Sequence, residues 1–139
     1  MDIIKFSELK VGMKGIITKK ITQEDLNKFI SICNDVNPIH VDENFARSAK
    51  FKDKIAHGIL VSSLISACVG TKIPGPGSVW LDQNLRFILP VYVNDTITCT
   101  SEILVKVMER QQVIVRTTCL NQNNEVVIEG VGLHKILEG

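Results

Sequence analysis

Asp35 and His40 place a carboxylate and an imidazole five residues apart in the chain. The two groups can do acid/base chemistry, because an unperturbed histidine (pKa about 6.5) exchanges a proton near neutral pH and an aspartate (about 3.9) accepts one. Between them, Pro38 restricts one backbone torsion and biases Asn37 toward an extended conformation. We therefore expect a short, stiff loop in which both side chains can bind the same water molecule.

A helix is predicted to precede this pair and to end near Asn34. Thr22 is a candidate N-cap with Asp25 three residues later, a variant of the capping box. The apolar positions that follow fall on one helical stripe: Leu26, Phe29, Ile30 and Cys33. After His40, Asp42 is expected to cap a second, short helix that holds the loop in place.

Other interpretations of these residues stay open at the local level. Asp and Asn at a helix end commonly bind their own backbone, and Asn-Pro often starts a turn. A metal site made of Asp35, His40, Asp42 and His57 is disfavoured by its mixed ligands and by the lack of an identifiable supporting partner. A turn, an acid/base pair and a metal site are therefore the three alternatives.

The wider pattern resembles a known family. Asp35-Val36-Asn37-Pro38-Ile39-His40, with Ala46 six positions on and Ile55-Ala56-His57-Gly58 later, resembles the signature of the MaoC-like (R)-specific enoyl-CoA hydratases. The resemblance extends from the helix after Thr22 to the last strand. That family usually has glycine before the aspartate, whereas this chain has Asn34, a residue that tolerates the left-handed conformation.

The resemblance implies an enzyme that reversibly hydrates trans-2-enoyl-CoA to (R)-3-hydroxyacyl-CoA. In that scheme Asp35 and His40 are catalytic, and the backbone N–H of Gly58, at a helix start, receives the developing oxyanion. Asn37 and Ser66 would support the site. The implied partners are an acyl-CoA thioester and a second copy of the chain, in a homodimer, with no cofactor and no metal.

Composition narrows the function classes. The 139 residues, 45% of them hydrophobic, are enough for a single domain covering 1–139. A net charge of +1 indicates neither nucleic acid nor an anionic membrane surface as a partner. The most apolar run, 59–69, contains three serines and is shorter than a membrane span. Four dispersed cysteines and the absence of a signal-peptide pattern favour the cytoplasm.

The order of elements predicts an α+β domain. A short strand at 16–21 and the two helices come first, followed by a buried helix from Gly58 to Gly70 and a Pro/Gly loop at 71–78. Residues 79–87 alternate as a strand, and three further strands follow the turn at 94–95. Gly130 and Gly132 in the last strand indicate a bulge or a close approach. The resemblance implies the hot-dog fold, an antiparallel curved sheet around a central buried helix.

Three other functions are alternatives for a chain with this predicted fold. A hot-dog thioesterase, or a dehydratase of the acyl-carrier-protein type, would carry a carboxylate on the central helix, yet residues 58–70 contain no Asp or Glu. A non-catalytic acyl-thioester-binding domain stays possible, because fold alone does not imply activity. His57 and His134 are interpreted as packing residues, and the alternating lysines at 50, 52 and 54 as a solvated loop.

Overall fold

The computed structural model describes residues 1–138 of the chain. Its elements, in order, are β1 (Lys14–Lys20), α1 (Gln23–Cys33), α2 (Pro38–Val41), α3 (Glu43–Ser48), α4 (Gly58–Thr71), β2 (Ser78–Gln83), β3 (Arg86–Phe87), β4 (Thr96–Val107), a 3-10 turn (Met108–Arg110), β5 (Gln112–Leu120) and β6 (Val126–Ile136). Within 1–138, no helix is long and apolar enough to cross a membrane.

The strands form one antiparallel sheet in the order β1-β4-β5-β6-β2, and β3 pairs with β6 beside β2. The long central strands alternate buried and partly exposed residues, as expected for a sheet with one face on the core. β4, β5 and β6 follow one another through short turns, which confirms the three strands predicted after residues 94–95. The predicted α+β class is confirmed by this sheet and its helices.

α4 packs against the sheet, mainly on β1 and β4, and its apolar side chains fill the core. The buried positions of the helix are Val61, Ser62, Leu64, Ile65, Cys68 and Val69. The sequence predicted burial on most sides, but the stripe formed by Ile59, Ser63, Ser66 and Ala67 is exposed in the single chain. The helix also continues past Gly70, its predicted last residue, to Thr71, since Gly70 keeps a helical backbone.

The predicted strand at 79–87 is the clearest correction. β2 ends at Gln83, and a bulge between Trp80 and Asp82 shifts its register against β6. A one-residue shift moves every later side chain to the other face of a strand. Val79, Leu81 and Phe87 are 40%, 50% and 53% exposed. Val79 precedes the bulge, so its exposure follows from the position of β2 at the edge of the sheet.

The last strand needs its two glycines for close approach, as predicted. A Cβ on Gly130 would collide with the backbone oxygen of Asn84. A Cβ on Gly132 would lie 3.0 Å from the backbone oxygen of Asp82. Only glycine lets the 82–84 segment cross β6 at this distance.

Candidate active site

α1 ends where the sequence predicted. Thr22 and Asp25 form the reciprocal capping box at its start. At its end Asn34 adopts the left-handed conformation, with φ 61°, and its N–H donates to the carbonyl of Ile30 at 2.7 Å. Asparagine thus serves where the resembled family usually has glycine, and the chain turns sharply enough to put Asp35 directly after the helix.

Asp35 uses one carboxylate oxygen for structure. Its Oδ1 accepts the backbone N–H of Asn37 at 3.1 Å. The side-chain oxygen of Asn37 in turn accepts the N–H of Ile39 at 3.3 Å and caps α2. The stretch predicted to be a loop through His40 is therefore a helical turn from Pro38, because proline is well suited to the first helical position. The Oδ2 atom of Asp35 remains available.

His40 lies on α2 and is almost fully buried, at 8% exposure. Its Nδ1 lies 2.7 Å from the carbonyl of Ile55; since a carbonyl only accepts, Nδ1 carries the hydrogen. The lone pair of neutral His40 is then on Nε2, which lies 3.9 Å from Oδ2 of Asp35. That separation is too long for a direct hydrogen bond, but one oxygen atom can lie about 2.8 Å from both atoms.

Burial lowers the pKa of His40 below its ordinary value, and the neighbouring His57 ring lowers it further. The hydrogen bond to Ile55 and the charge of Asp35 act in the opposite direction. The net pKa of His40 is lowered because desolvation, which penalises the cationic form, is the largest of these effects. His40 is therefore a neutral proton acceptor at neutral pH, next to a carboxylate.

His57 packs at the entrance of α4, as the sequence predicted, and it is only 2% exposed. Its ring stacks on that of His40, with centroids 3.9 Å apart, and the ring of Phe29 lies 4.9 Å away on a tilt. Its Nε2 donates to the backbone carbonyl of Asp35 at 3.0 Å. This last contact joins residues 22 positions apart and was not predicted from the sequence.

Gly58 is the first residue of α4, where a backbone N–H has no acceptor within the helix. Gly58 and His40 both line an apolar cavity of about 480 Å³ between α2, α4 and the 87–91 segment. The ring of Phe87 lies beside Gly58, and a Cβ on residue 58 would come within 2.6 Å of it. Phe87 is a residue of this site that sequence analysis missed, because its position depends on how the edge strand crosses β6.

The remaining predicted residues have different outcomes. Asn37 lies inside the site as the cap of α2, directly between Asp35 and His40 in the chain. Ser66 lies on the exposed stripe of α4, eight residues or about 12 Å of helix beyond Gly58. Within residues 1–138 its side chain makes no hydrogen bond, so its supporting role stays a prediction.

A metal site at this position has partial support. Asp35, His40 and His57 each offer a ligand atom, and these atoms lie within 4.8 Å of one another. Tetrahedral zinc with ligands at about 2.0–2.1 Å needs them roughly 3.4 Å apart, a tighter cluster than this one. Asp42, the fourth residue of the metal interpretation, instead accepts the N–H of Phe45 and caps α3.

Comparison with known proteins identifies the family. Residues 7–125 match the family described as "MaoC like domain". The chain belongs to the MaoC-like family. This MaoC-like chain is 41% identical over 125 residues to an (R)-specific enoyl-CoA hydratase of Rhodospirillum rubrum, covering 90% of this chain and 86% of that protein. It is 38% identical over 136 residues to a 3-hydroxybutyryl-CoA dehydratase of Methylorubrum extorquens, covering 98% and 86%.

Its fold is also that of a solved hydratase. The structure of the R-hydratase PhaJ1 from Pseudomonas aeruginosa, in the unliganded form, superposes with a TM-score of 0.90 at 38% identity. The match covers 98% of this MaoC-like chain and 87% of that one. The hot-dog fold implied by the sequence resemblance is thereby confirmed.

Proposed function

We propose that this chain is an (R)-specific enoyl-CoA hydratase, which reversibly adds water to trans-2-enoyl-CoA and yields (R)-3-hydroxyacyl-CoA. The observation that carries the proposal is the 3.9 Å gap between Oδ2 of Asp35 and Nε2 of His40, the second of which lines an apolar cavity. A carboxylate and a neutral imidazole at that separation suit one shared water, and the cavity suits an acyl chain. The activities of the two relatives support the same reaction class.

In the proposed mechanism the water oxygen bonds to C3 of the enoyl thioester while Asp35 takes one of its protons. Nε2 of His40 accepts a hydrogen bond from the water and orients it. Electron density moves to the thioester oxygen, where the N–H of Gly58 stabilises the enolate-like charge. In our assignment Asp35 returns its proton to the new C3 oxygen as the other proton of that oxygen passes to Nε2 of His40. His40 then delivers this proton to C2, so that both side chains return to their starting charge.

The structure also bears on the competing enzyme classes. α4 spans Gly58–Thr71 and contains no Asp or Glu, so the carboxylate of a central-helix thioesterase or dehydratase has no counterpart here. A non-catalytic acyl-thioester-binding domain would keep the cavity but would not need the buried, uncharged His40. We also propose that the chain acts in the cytoplasm as a homodimer on a CoA thioester, without a cofactor or a metal.

The direct test is turnover of purified protein on a panel of trans-2-enoyl-CoA thioesters, followed by the ultraviolet absorbance of the conjugated thioester. We expect hydration, and in the reverse direction dehydration of (R)- but not (S)-3-hydroxyacyl-CoA. Release of free CoA would indicate a thioesterase, and binding without turnover would indicate a non-catalytic domain. Either result contradicts the proposal.

The same assay tests the metal interpretation. After dialysis against a chelator we expect unchanged turnover, because the proposed chemistry uses only protein groups and water. Activity lost on chelation and recovered with added zinc would assign Asp35, His40 and His57 to a metal site instead.

A further inference from the structure

His57 is a buried polar side chain that the proposed chemistry does not use. Its side chain is 2% exposed and contacts the rings of His40 and Phe29 and the backbone of Asp35. Because its Nε2 donates to a carbonyl, its other nitrogen, Nδ1, is left without a hydrogen-bond partner among residues 1–138. A buried unpaired nitrogen is unfavourable, and an apolar residue of similar size would avoid it. A packing role alone therefore leaves the choice of histidine unexplained.

The location of His57 suggests why it is present. It is the residue immediately before Gly58, whose N–H is the proposed oxyanion donor. Two residues earlier, the carbonyl of Ile55 accepts the Nδ1–H of His40 at 2.7 Å, and the N–H of Ile55 donates to the carbonyl of Ile39 at 3.1 Å. The segment 55–58 thus makes two contacts with the site. The carbonyl of Ile55 binds His40, and the ring of His57 binds the backbone of Asp35.

The backbone of Asp35 has few other restraints to the start of α4. Its side chain bonds only locally, to Asn37 two residues on, and to no group of the 55–58 segment. The 3.0 Å bond from His57 is the hydrogen bond that joins Asp35 to that segment within residues 1–138. Without it, Asp35 would be tied to the 55–58 segment only through the hydrogen bonds of Ile39 and His40, four and five residues further along the chain.

We propose that His57 is a positioning residue for the hydration reaction: its Nε2–H fixes the backbone of Asp35 relative to the N–H of Gly58, while its ring packs on the His40 imidazole. The inference rests on the proposed function and deepens it. It differs from a stabilising role because its loss misplaces the reacting groups in a protein that stays folded. Misplacement by about 1 Å can cost on the order of 10²-fold in rate.

Three substitutions separate the hydrogen bond from the ring. His57→Gln carries an amide N–H to about the position of Nε2 but has no ring, whereas His57→Asn carries an amide too short to reach. His57→Phe keeps a ring for stacking and removes the donor. We expect kcat to fall by roughly 10- to 100-fold in the Asn and Phe variants with KM changed little, and to be largely retained by Gln. If the Phe variant does not fold, the Gln and Asn pair still decides the question.

His134 provides the matched control. It is also a fully buried histidine beside an aromatic ring, that of Trp80 at 6.0 Å, but it lies on β6 away from the cavity lining. His134→Phe makes the same chemical change there, and we expect kcat to be unchanged at temperatures well below its melting point. A fall in kcat that tracks the melting temperature in both variants would reduce His57 to a structural residue.

A second readout does not require activity. The chain has only three histidines, so imidazole nitrogen NMR can follow His40 and His57 separately. We expect His57 to carry its hydrogen on Nε2, and the pKa of His40 to rise in His57→Gln, because the neighbouring ring lowers it in the wild type. Where turnover is measurable, its acidic limb should move to higher pH in the same variant.

The outcomes are distinguishable from failure of the proposed function. Wild-type protein without hydratase activity would remove that function, while the NMR result would still report whether His57 holds Asp35 and His40. A folded His57→Phe protein with wild-type kcat and pH profile would overturn the positioning role. So would a His57 ring with its hydrogen on Nδ1.

Discussion

Asp35 divides its two carboxylate oxygens between two tasks. Oδ1 accepts the N–H of Asn37 and closes the turn, while Oδ2 faces Nε2 of His40 at 3.9 Å. The turn interpretation and the acid/base interpretation of the motif are therefore compatible, since each uses a different atom. An asparagine at position 35 can keep the turn through its remaining oxygen and lose only the basic group.

We expect Asp35→Asn and His40→Ala each to lower turnover of a short enoyl-CoA by at least the ~10² typical of a lost acid/base group. The double variant should fall little further, because residues that act as one unit are not additive. Steady-state kinetics with thermal unfolding of each variant provide the measurement.

Asp42→Asn is the matched control for Asp35→Asn. Asp42 also accepts a backbone N–H, that of Phe45 at 3.0 Å, but it does so as the cap of α3. The same carboxylate-to-amide change should therefore leave kcat near the wild-type value. Near-normal turnover in either Asp35→Asn or His40→Ala would remove the catalytic assignment.

At the scale of elements, the start of α4 is the feature on which the proposed oxyanion site depends. Its first-turn N–H groups carry the partial positive charge of a helix N-terminus, and the apolar cavity beside them excludes competing water. His57 has ψ 130°, the backbone conformation that a residue before proline favours. Proline at the first helical position is also well tolerated. The backbone conformation thus permits a proline at position 58, which removes the N–H donor.

We predict that Gly58→Pro lowers kcat by roughly 10² to 10³, the scale of one oxyanion donor. Gly58→Ala is its control, because both substitutions add a Cβ that meets the ring of Phe87 and only proline removes the N–H. Making both in a Phe87→Ala background relieves that contact. The kcat values of the two double variants should then differ by most of the expected roughly 10²- to 10³-fold. Equal kcat values for folded alanine and proline variants would exclude the Gly58 donor.

At the scale of the whole molecule, β6 carries a buried ionisable side chain that makes the free energy of unfolding depend on pH. His134 is fully buried and, within 1–138, neither ring nitrogen has a hydrogen-bond partner. Burial lowers the pKa of His134 to about 4, because the cation would lose its hydration inside the sheet. The unfolded chain has the ordinary value of about 6.5.

Above that ordinary value neither state binds the proton, so His134 leaves stability unaffected there. As the pH falls toward about 4, the unfolded state is protonated first, and the free energy of unfolding drops by up to about 3 kcal/mol. Urea unfolding of the wild type and His134→Phe across this range measures the effect. The wild type should lose more stability on acidification than the variant, and parallel pH profiles would contradict the assignment.

The single chain also leaves surface that a second copy would cover. β2 is an edge strand of the sheet, and its apolar residues Val79, Trp80 and Leu81 are 38–50% exposed. Ile59 on the exposed stripe of α4 is 58% exposed. Unpaired strand edges and contiguous apolar surface favour association.

We therefore predict a homodimer in dilute solution, joined near the β2 edge. Sedimentation velocity over a dilution series is the measurement, and a stable, active monomer would contradict the prediction. Trp80→Lys should weaken the dimer by placing a charge at that edge. Lys20→Glu is the control, since it changes a charge on β1 at the opposite edge.

The sequence by itself determined the features that depend on neighbours along the chain. The capping box of Thr22, the left-handed Asn34 and the cap at Asp42 each bind within a few residues, so their signals are local. The apolar character of α4 follows from composition alone. The motif from Asp35 to His40 also indicated the family, because its residue types and spacing are read directly from the chain.

Tertiary structure alone decided the contacts that make these residues a site. The Ile55 carbonyl reaches His40 across 15 residues, the His57 ring reaches Asp35 across 22, and the Phe87 ring meets Gly58 from a separate strand. The bulge after Trp80 shifts the register of the edge strand against β6. Such contacts depend on how the sheet and α4 pack. The free energy of that packing comes from the whole core, so no short segment of sequence predicts it.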